Sequence, residues 1–244
     1  MIENQIPVLL PPGFAANGTK SEAAGRWYDG NLVRFFNGRP QPIGGISAVP
    51  ASADPGGYAS RALAYSNEGS TVVIGSSAKA TALILGAEKD VTPAGFITGR
   101  TNSVLADGVT TTGDVPLCGL VNDASVWHFD VFGTEILGAS SVDGTLYRWT
   151  GDFSTVFEFV TGGAPEATGV VVTPERFVVV FGLNSDPNQI QWASQEGYTD
   201  WTPTADNTAG DLHVNSNGTI VTARRGNGET LIWTTDDLQR LNYV

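Results

Sequence analysis

The feature that most constrains the fold is a unit of two apolar strands joined by a polar turn, which recurs four times after residue 57. Each turn contains Gly, Asn or Asp, and the second strand often carries an aromatic residue. Equivalent positions in the four copies are Gly75, Gly138, Gly182 and Trp233, which lie 63, 44 and 51 residues apart. Propeller blades repeat about every 40 to 50 residues. The sequence therefore predicts an irregular β-propeller.

The strands of the repeat can be placed directly on the sequence. The first strand of each copy, which we expect to be the inner one, covers residues 71–75, 134–138, 177–182 and 229–233. The second strands lie within residues 82–85, 145–149, 189–192 and 239–243. No segment shows a sustained helical stripe, which predicts an all-β chain. The first interval is lengthened by residues 93–121, in which the Gly-, Thr- and Asp-rich stretch 99–114 predicts a protruding loop.

Residues 1–50 differ from the repeat because prolines and glycines interrupt any period. We expect an extended N-terminal arm with one hairpin, in which residues 32–36 pair with the segment after Asn37 and Gly38. Asn-Gly supplies the positive φ angles of a type I′ turn. The arm carries several apolar residues and no periodicity, so we expect it to pack against a neighbouring chain.

The predicted organisation is thus an arm over residues 1–50 and propeller blades over residues 51–244. The sequence stops inside the last predicted strand, with no element that closes a ring. We therefore expect the propeller to be incomplete and the chain to continue beyond Val244.

The charge and the cysteine content exclude several classes of protein. The formal charge is −12, with 25 acidic and 13 basic residues, which disfavours a general phosphate-binding surface. No run of about 20 apolar residues could cross a bilayer, and the N-terminus lacks the basic start of a signal peptide. We expect a soluble protein without membrane insertion. A single cysteine, Cys118, excludes an intramolecular disulfide.

Candidate catalytic residues are few. His128 and His213 lie in no metal or nucleophile motif, so we interpret both as ordinary strand residues. Cys118 has apolar neighbours and no basic partner, which predicts a packing role. Serine-nucleophile, phosphate-loop and zinc-protease motifs do not occur. We predict no catalytic residue, no cofactor and no metal site, although the oxygen-rich turns 184–188 and 206–211 leave calcium binding open.

One turn is similar to the Asp box of sialidase-type propellers. It runs from Ser141 through Asp143 and Gly144 to Trp149, with one residue too few before Gly144. In such a box the aspartate caps local backbone amides, so the box is a structural turn. The motif supports a propeller and not an active site, because glycosidases need two carboxylates that face each other across the bond.

Two stretches resemble the tail nozzle proteins of short-tailed bacteriophages. The first is residues 27–45, which contain the order Trp27, Asn-Leu-Val-Arg-Phe, Gly38, Pro40 and Gly-Gly. The second combines a Trp-Ala-Ser strand end at residues 192–194, a second tryptophan at Trp201, Ala-Gly at residues 209–210 and the Trp-Thr-Thr-Asp-Asp strand end at residues 233–237. Together the stretches cover about 75 residues in the family's order.

The resemblance implies a structural, non-enzymatic subunit of the tail nozzle or hub in the virion. It implies a six-fold ring that contacts portal-side adaptor proteins and a central channel that retains packaged DNA and later conducts it without sequence-specific binding. An acidic wall would let a polyanion slide. We expect the intersubunit contacts at Trp27, Arg34, Phe35, Phe36 and Arg39. In the alternative to intersubunit contact, the three aromatic side chains are buried under the hairpin of their own chain and the two arginines pair with acidic neighbours.

Two other classes remain open. The first is a sugar-binding or glycoside-cleaving propeller that serves as a receptor-binding tail component. A sugar site brings aromatic residues and carboxylates together in one pocket, whereas a nozzle wall spreads them over the surface. The second is a cellular propeller scaffold, which has less support because no Trp-Asp or kelch consensus recurs.

Overall fold

The computed structural model describes residues 11, 13–15, 19, 21–22, 24–27, 29–43, 59–66, 70–84, 87–99 and 125–242. Every regular element among them is a β-strand, so the predicted all-β class is confirmed. The chain divides into two units, Met1–Val49 and Pro50–Val244. The predicted loop 99–114, apart from Gly99, and Cys118 lie outside the described residues.

The first unit contains the predicted hairpin. Strands β1 (Val33–Phe36) and β2 (Arg39–Pro42) pair antiparallel, and Phe36 lies opposite Arg39. The two loop residues have positive φ angles, 48° at Asn37 and 75° at Gly38. Two consecutive positive φ angles define the type I′ turn, which Gly adopts without steric cost. The hairpin prediction is therefore confirmed.

The described residues of the second unit form four antiparallel sheets, here called blades 1 to 4. Blade 1 contains β3 (Ala59–Ser66), β4 (Ser70–Ser76), β5 (Ala80–Ile84) and β6 (Ala87–Asp90). Blade 2 contains β7 (Trp127–Phe132), β8 (Glu135–Ser140), β9 (Leu146–Trp149) and β10 (Glu158–Phe159). Blade 3 contains β11 (Ala167–Val172), β12 (Val178–Leu183), β13 (Gln189–Trp192) and β14 (Gly210–His213). Blade 4 contains β15 (Ile220–Arg225), β16 (Thr230–Thr234) and β17 (Leu238–Leu241).

The first strand of each blade packs against the first strand of the next, in the order β3, β7, β11 and β15. Hydrogen bonds connect these strands across blades: the Trp127 N–H donates to Ser60 Oγ at 3.0 Å, and the Val172 N–H donates to Asp130 Oδ2 at 2.8 Å. Consecutive four-stranded meanders with adjacent first strands are the arrangement of a β-propeller. The second unit is therefore an irregular β-propeller, as predicted.

The structure corrects which strands are innermost. The predicted inner strands correspond to β4, β8, β12 and β16, which are the second strands of their blades. They stand out in the sequence because they are nearly continuous apolar runs, the pattern of a strand covered on both faces. The true inner strands carry polar residues such as Arg61, Asp130 and Arg224, which interrupt the apolar pattern.

Among the residues that the structure describes, three apolar clusters lie between successive blades. The aromatic interface joins blades 1 and 2 and includes Tyr65, Trp127, Phe129, Tyr147, Trp149 and Phe157. The valine interface joins blades 2 and 3 and includes Leu137, Leu146, Val170, Val172, Val178 and Val180. A third cluster joins blades 3 and 4 and includes Val179, Phe181, Ile190, Ile220 and Ile232. Successive side chains of one strand point to opposite faces, so those at alternate positions pack into different interfaces.

Candidate functional site

The hairpin of the first unit has two different faces. Val33 and Phe35 share one face, on which the Phe35 ring lies 5.2 Å from the ring of Phe14 and 6.2 Å from that of Trp27. Trp27 and Phe35 are half-buried. This part of the predicted contact surface is therefore occupied by packing within the unit.

The opposite face of the hairpin is basic and exposed at every position except the half-buried Gln41. It carries Arg34, Phe36, Arg39 and Gln41, because Arg34 pairs with Gln41 and Phe36 pairs with Arg39. Phe36 is 55% exposed, and the Arg34 guanidinium lies 6.0 Å from the centre of its ring. Within the described residues neither arginine forms an ion pair. The expected pairing of these arginines with acidic neighbours is not found there.

Further apolar residues are exposed beside this face. Leu32 and Ile43, at the open end of the hairpin, are 54% and 46% exposed, and the Ile43 N–H donates to the Leu32 carbonyl oxygen at 2.7 Å. Exposed apolar side chains grouped in this way are typical of interaction surfaces. The exposed basic face and these two residues are together called the hairpin surface below.

The residues of the second resemblance lie in two blades: residues 192–210 belong to blade 3 and residues 233–237 to blade 4. The Trp192 ring lies against Gly210, and a Cβ atom at position 210 would overlap the ring. The Nε1–H of Trp192 donates to the Thr208 carbonyl oxygen at 2.9 Å. Trp201 is buried, and its carbonyl oxygen accepts a hydrogen bond from the Gln191 side chain at 2.9 Å. These contacts connect β13 to the following loop and to β14. The motif therefore has a structural role in this chain.

An open apolar cleft of about 380 Å³ lies beside Trp192. Phe177, Val179 and Leu212 from blade 3 line it together with Leu241 at the end of β17. Glu175 is the acidic residue among its described lining residues. The cleft combines aromatic side chains with one carboxylate. The sequence does not indicate this combination, because these residues lie far apart in the chain.

The two histidines lie in strands, as predicted, but in different environments. His213 in β14 is exposed, and its Nε2 lies 3.3 Å from Asp186 Oδ2. His128 in β7 is only 5% exposed, and its ring packs edge to face against Phe181 at 5.0 Å. Burial first, and then the charges of Arg224 and Arg61, lower the pKa of His128 to about 4. His128 is therefore neutral at pH 7.

Asp143 does not act as an Asp-box aspartate. Its Oδ1 accepts a hydrogen bond from the Ile97 N–H at 3.1 Å, and its Oδ2 accepts one from the Tyr147 hydroxyl at 2.5 Å. Gly144 has a φ of 75°, and its N–H donates to the Ser140 carbonyl oxygen. The carboxylate of Asp143 therefore connects β9 to the segment that contains Ile97.

The oxygen-rich turns are held by their own hydrogen bonds. Asp186 Oδ1 accepts the Asn188 N–H at 2.9 Å, and the Asn207 side chain donates to Asp200 Oδ2 at 2.8 Å. In the described part of the chain no group of three His, Cys, Asp or Glu residues is arranged to hold a metal ion. The same residues contain no helix with the length and apolar character that crossing a bilayer requires.

Comparison with known proteins gives no family for the chain. No family model matches it, and no curated protein matches it. Similar solved structures include a selenomethionine-substituted virginiamycin B lyase from Staphylococcus aureus, with 11% identity, a TM-score of 0.37 and coverage of 78% of this chain and 71% of that one. A streptogramin B lyase structure has 10% identity, a TM-score of 0.32 and coverage of 75% and 69%. Because both TM-scores are low, the assignment of the fold depends on the strand order described above.

Proposed function

We propose that the chain is a non-enzymatic structural subunit of a phage tail nozzle or hub, which assembles into a ring through the hairpin surface. The observation that carries this proposal is the exposed face on which Arg34 and Arg39 flank Phe36. A two-stranded hairpin is marginally stable alone, so one that exposes an aromatic ring gains stability by docking.

Charge complementarity favours a second copy of the chain as the docking partner. The hairpin β1–β2 contains two arginines and no acidic residue, whereas the whole chain has a net charge of −12. A basic patch on one copy therefore meets a predominantly acidic surface on the next. Contacts of this head-to-tail kind produce a closed ring when the rotation between copies closes.

The resemblance of residues 27–45 and 190–238 to tail nozzle proteins adds the biological setting to the proposal. In this setting the ring has six copies, contacts portal-side adaptor proteins in the virion tail, and surrounds a channel through which packaged DNA leaves. The structural roles of Trp192 and Trp201 fit a subunit whose motifs maintain a rigid wall.

Assembly can be tested with a single exposed residue. Phe36→Ser should shift the oligomer of the full chain to monomer, as measured by light scattering coupled to size exclusion. Val221→Ser is the matched control, because Val221 is 53% exposed on β15 of the propeller. Loss of the oligomer in Phe36→Ser alone supports the proposal. An unchanged oligomer in Phe36→Ser, or a monomeric natural chain at high concentration, contradicts assembly through the hairpin.

The location of the protein tests the viral setting directly. Electron microscopy of purified particles with an antibody to this chain should place the label on the tail axis below the neck. Label on peripheral fibres would favour a receptor-binding component instead. Absence of label from particles would remove the viral proposal.

A second candidate, a sugar-binding propeller, is favoured by the cleft beside Trp192. Exposed aromatic rings stack on sugar rings, and a nearby carboxylate accepts their hydroxyl groups. Binding fits better than cleavage, because Glu175 supplies one carboxylate where hydrolysis needs two. Glycan-array binding by the natural chain that is lost in Glu175→Gln and kept in Glu229→Gln would establish this candidate, and an array without signal would remove it.

A further inference from the structure

The rim of the cleft beside Trp192 is held in place by contacts within blade 3. The Gln195 side chain donates to the Glu175 carbonyl oxygen at 3.0 Å, and the Gln195 backbone N–H donates to Thr208 Oγ1 at 2.8 Å. Glu175 and Thr208 both line the cleft, so Gln195 connects two segments of its rim. A site whose walls are fixed beforehand loses little conformational freedom when it binds.

Two residues beside this rim have an unusual backbone conformation. Arg176 and Glu196 have positive φ angles of 66° and 60°, which steric repulsion disfavours for residues other than glycine. The Glu196 N–H donates to the Arg176 carbonyl oxygen at 3.2 Å, and the two side chains form an ion pair at 2.5 Å. Such conformations persist where the surrounding structure holds them, and they are concentrated at binding sites. The rim therefore has the character of a binding surface.

The cleft also contains a carboxylate without a cationic partner. Glu175 is half-buried, and among the described residues no Lys, Arg or His nitrogen lies within ion-pair distance of it. Part of the cleft wall comes from residues 193–212, in which the charged residues are all acidic: Glu196, Asp200, Asp206 and Asp211. The cleft therefore favours a partner that joins an apolar group to a positive charge.

The hairpin surface presents this combination. Phe36 is the last residue of β1, next to the turn, and its ring is more than half exposed at the tip of the hairpin. Arg34 and Arg39 lie on the same face, and the Arg34 guanidinium lies 6.0 Å from the centre of the Phe36 ring. An aromatic ring that enters a cleft from this face therefore brings a positive charge with it.

We propose that the Phe36 ring of one copy of the chain occupies the cleft beside Trp192 of the next copy, with Arg34 and Arg39 facing Glu175 and the acidic rim. The proposal rests on assembly through the hairpin surface, and it adds the surface that receives the hairpin. The cleft volume of about 380 Å³ lies within the range of sites that enclose small ligands, about 300 to 1,000 Å³.

The contact has the composition of a strong interface. Phe177, Trp192 and Leu212 supply apolar walls for the ring. A buried aromatic anchor beside an arginine is the kind of residue on which most binding energy depends. The hairpin and the cleft are different surfaces of one chain, so each copy uses both, which is the head-to-tail arrangement that a ring requires.

The first test measures the mass of the full chain by light scattering coupled to size exclusion. Leu212→Arg should raise the concentration at which half of the chains are assembled by at least about 10-fold, because a charge replaces part of the apolar wall. Leu238→Arg is the matched control, because Leu238 is 50% exposed against 49% for Leu212 and points to the opposite face of blade 4 from Leu241. Glu175→Gln should weaken assembly by a smaller factor and reduce its dependence on salt.

A mixture of two defective variants tests whether the hairpin and the cleft meet each other. Phe36→Ser keeps a natural cleft, and Leu212→Arg keeps a natural hairpin. Each variant alone should be monomeric. An equimolar mixture should form a dimer of unlike chains and nothing larger, because each such pair retains one intact contact. The dimer would also show that both variants are folded.

A photochemical experiment leaves the cleft unchanged. p-Benzoylphenylalanine in place of Phe36 keeps an aromatic side chain at this position. On irradiation it should link to a peptide of another copy that contains Trp192 or Leu212, as identified by mass spectrometry.

Two results would overturn the proposal and leave assembly through the hairpin intact. They are natural assembly of Leu212→Arg and Glu175→Gln although Phe36→Ser is monomeric, or a photochemical link from position 36 to residues outside the cleft. An unchanged oligomer in Phe36→Ser, or a monomeric natural chain, would contradict assembly through the hairpin and the proposal with it.

Discussion

The aromatic interface and the valine interface hold neighbouring blades together by different means. In the aromatic interface the Trp127 ring stacks on Phe96 and Phe129 at 5.0 and 5.1 Å, and its Nε1–H donates to the Ser76 carbonyl oxygen at 2.8 Å. In the valine interface the buried contacts are largely between small branched side chains such as Val170 and Val180. Aromatic pairs add directional attraction to the gain from burial, whereas aliphatic contacts depend on shape and area alone.

The difference indicates that the two interfaces stabilise the propeller in different ways. Blades 1 and 2 are fixed in orientation, because the rings carry polar groups that must meet particular acceptors, including Tyr65 OH with the Thr134 carbonyl oxygen. Blades 2 and 3 are joined mainly by close packing, together with the hydrogen bond from the Val172 N–H to Asp130 Oδ2 and the contact of the buried His128 ring with Phe181. Mutation should therefore affect the two interfaces by different amounts and with different dependence on pH.

The largest effect is expected for Trp127→Ala. This change removes a fully buried side chain, its stacking and its hydrogen bond, which should cost about 3 to 5 kcal/mol in the free energy of unfolding. Val180→Ala, also fully buried but in the valine interface, should cost about 2 kcal/mol. Chemical denaturation followed by circular dichroism measures both. Equal costs would mean that the aromatic interface has no special role.

Acid should weaken the fold through His128. Its pKa is about 4 in the folded chain against 6.5 in the unfolded one, so the unfolded state binds more protons between these values. The contribution of neutral His128 to stability is complete above pH 6.5 and declines as the pH falls to 4, by about 3 kcal/mol in total. Denaturation at several pH values measures it.

His128→Gln should reduce this pH dependence, because glutamine does not titrate, and His213→Gln, which changes an exposed histidine, should retain it. Identical pH profiles for the natural chain and His128→Gln would show that His128 does not determine the acid sensitivity.

A smaller effect is expected from the loss of single hydroxyl groups. Tyr147→Phe removes the hydrogen bond to Asp143 from a fully buried ring, and it should cost about 1 to 2 kcal/mol because the acceptor is charged. Tyr198→Phe is the matched change beside the valine interface, where Glu135 keeps its ion pair with Arg148 at 3.1 Å. It should cost less than 1 kcal/mol. A larger loss in Tyr198→Phe, measured by thermal unfolding, would reverse the proposed difference between the interfaces.

The sequence predicts those parts of the fold that depend on local signals. The Asn37-Gly38 turn could be recognised because its φ angles are a property of the two residues themselves. The strands β4, β8, β12 and β16 could be recognised because each is a short apolar run. The inner strands could not be recognised from the sequence, because a half-buried arginine such as Arg61 cannot be distinguished there from an exposed one.

The candidate sites depend on residues that are distant in the chain. The sequence predicts that His128 lies in a strand, but the burial of its ring comes from Gly169 and Phe181, and the charges that lower its pKa come from blades 1 and 4. The contact between Asp143 and Ile97 could not be predicted, because nothing in the sequence links two residues that lie 46 positions apart. The cleft beside Trp192 could not be predicted for the same reason, because its lining residues Glu175 and Leu241 lie far apart in the chain.

Each strand of a blade pairs with the strand immediately before or after it in the chain. Forming a blade therefore closes only short loops, which keeps the entropic cost of every pairing low and favours fast formation for a β protein. During synthesis blade 1 can collapse before blade 2 leaves the ribosome, and each new blade then covers the apolar face that the previous one exposes. The stability of the propeller accumulates along the chain as a sum of blades and interfaces, as in other repeat proteins.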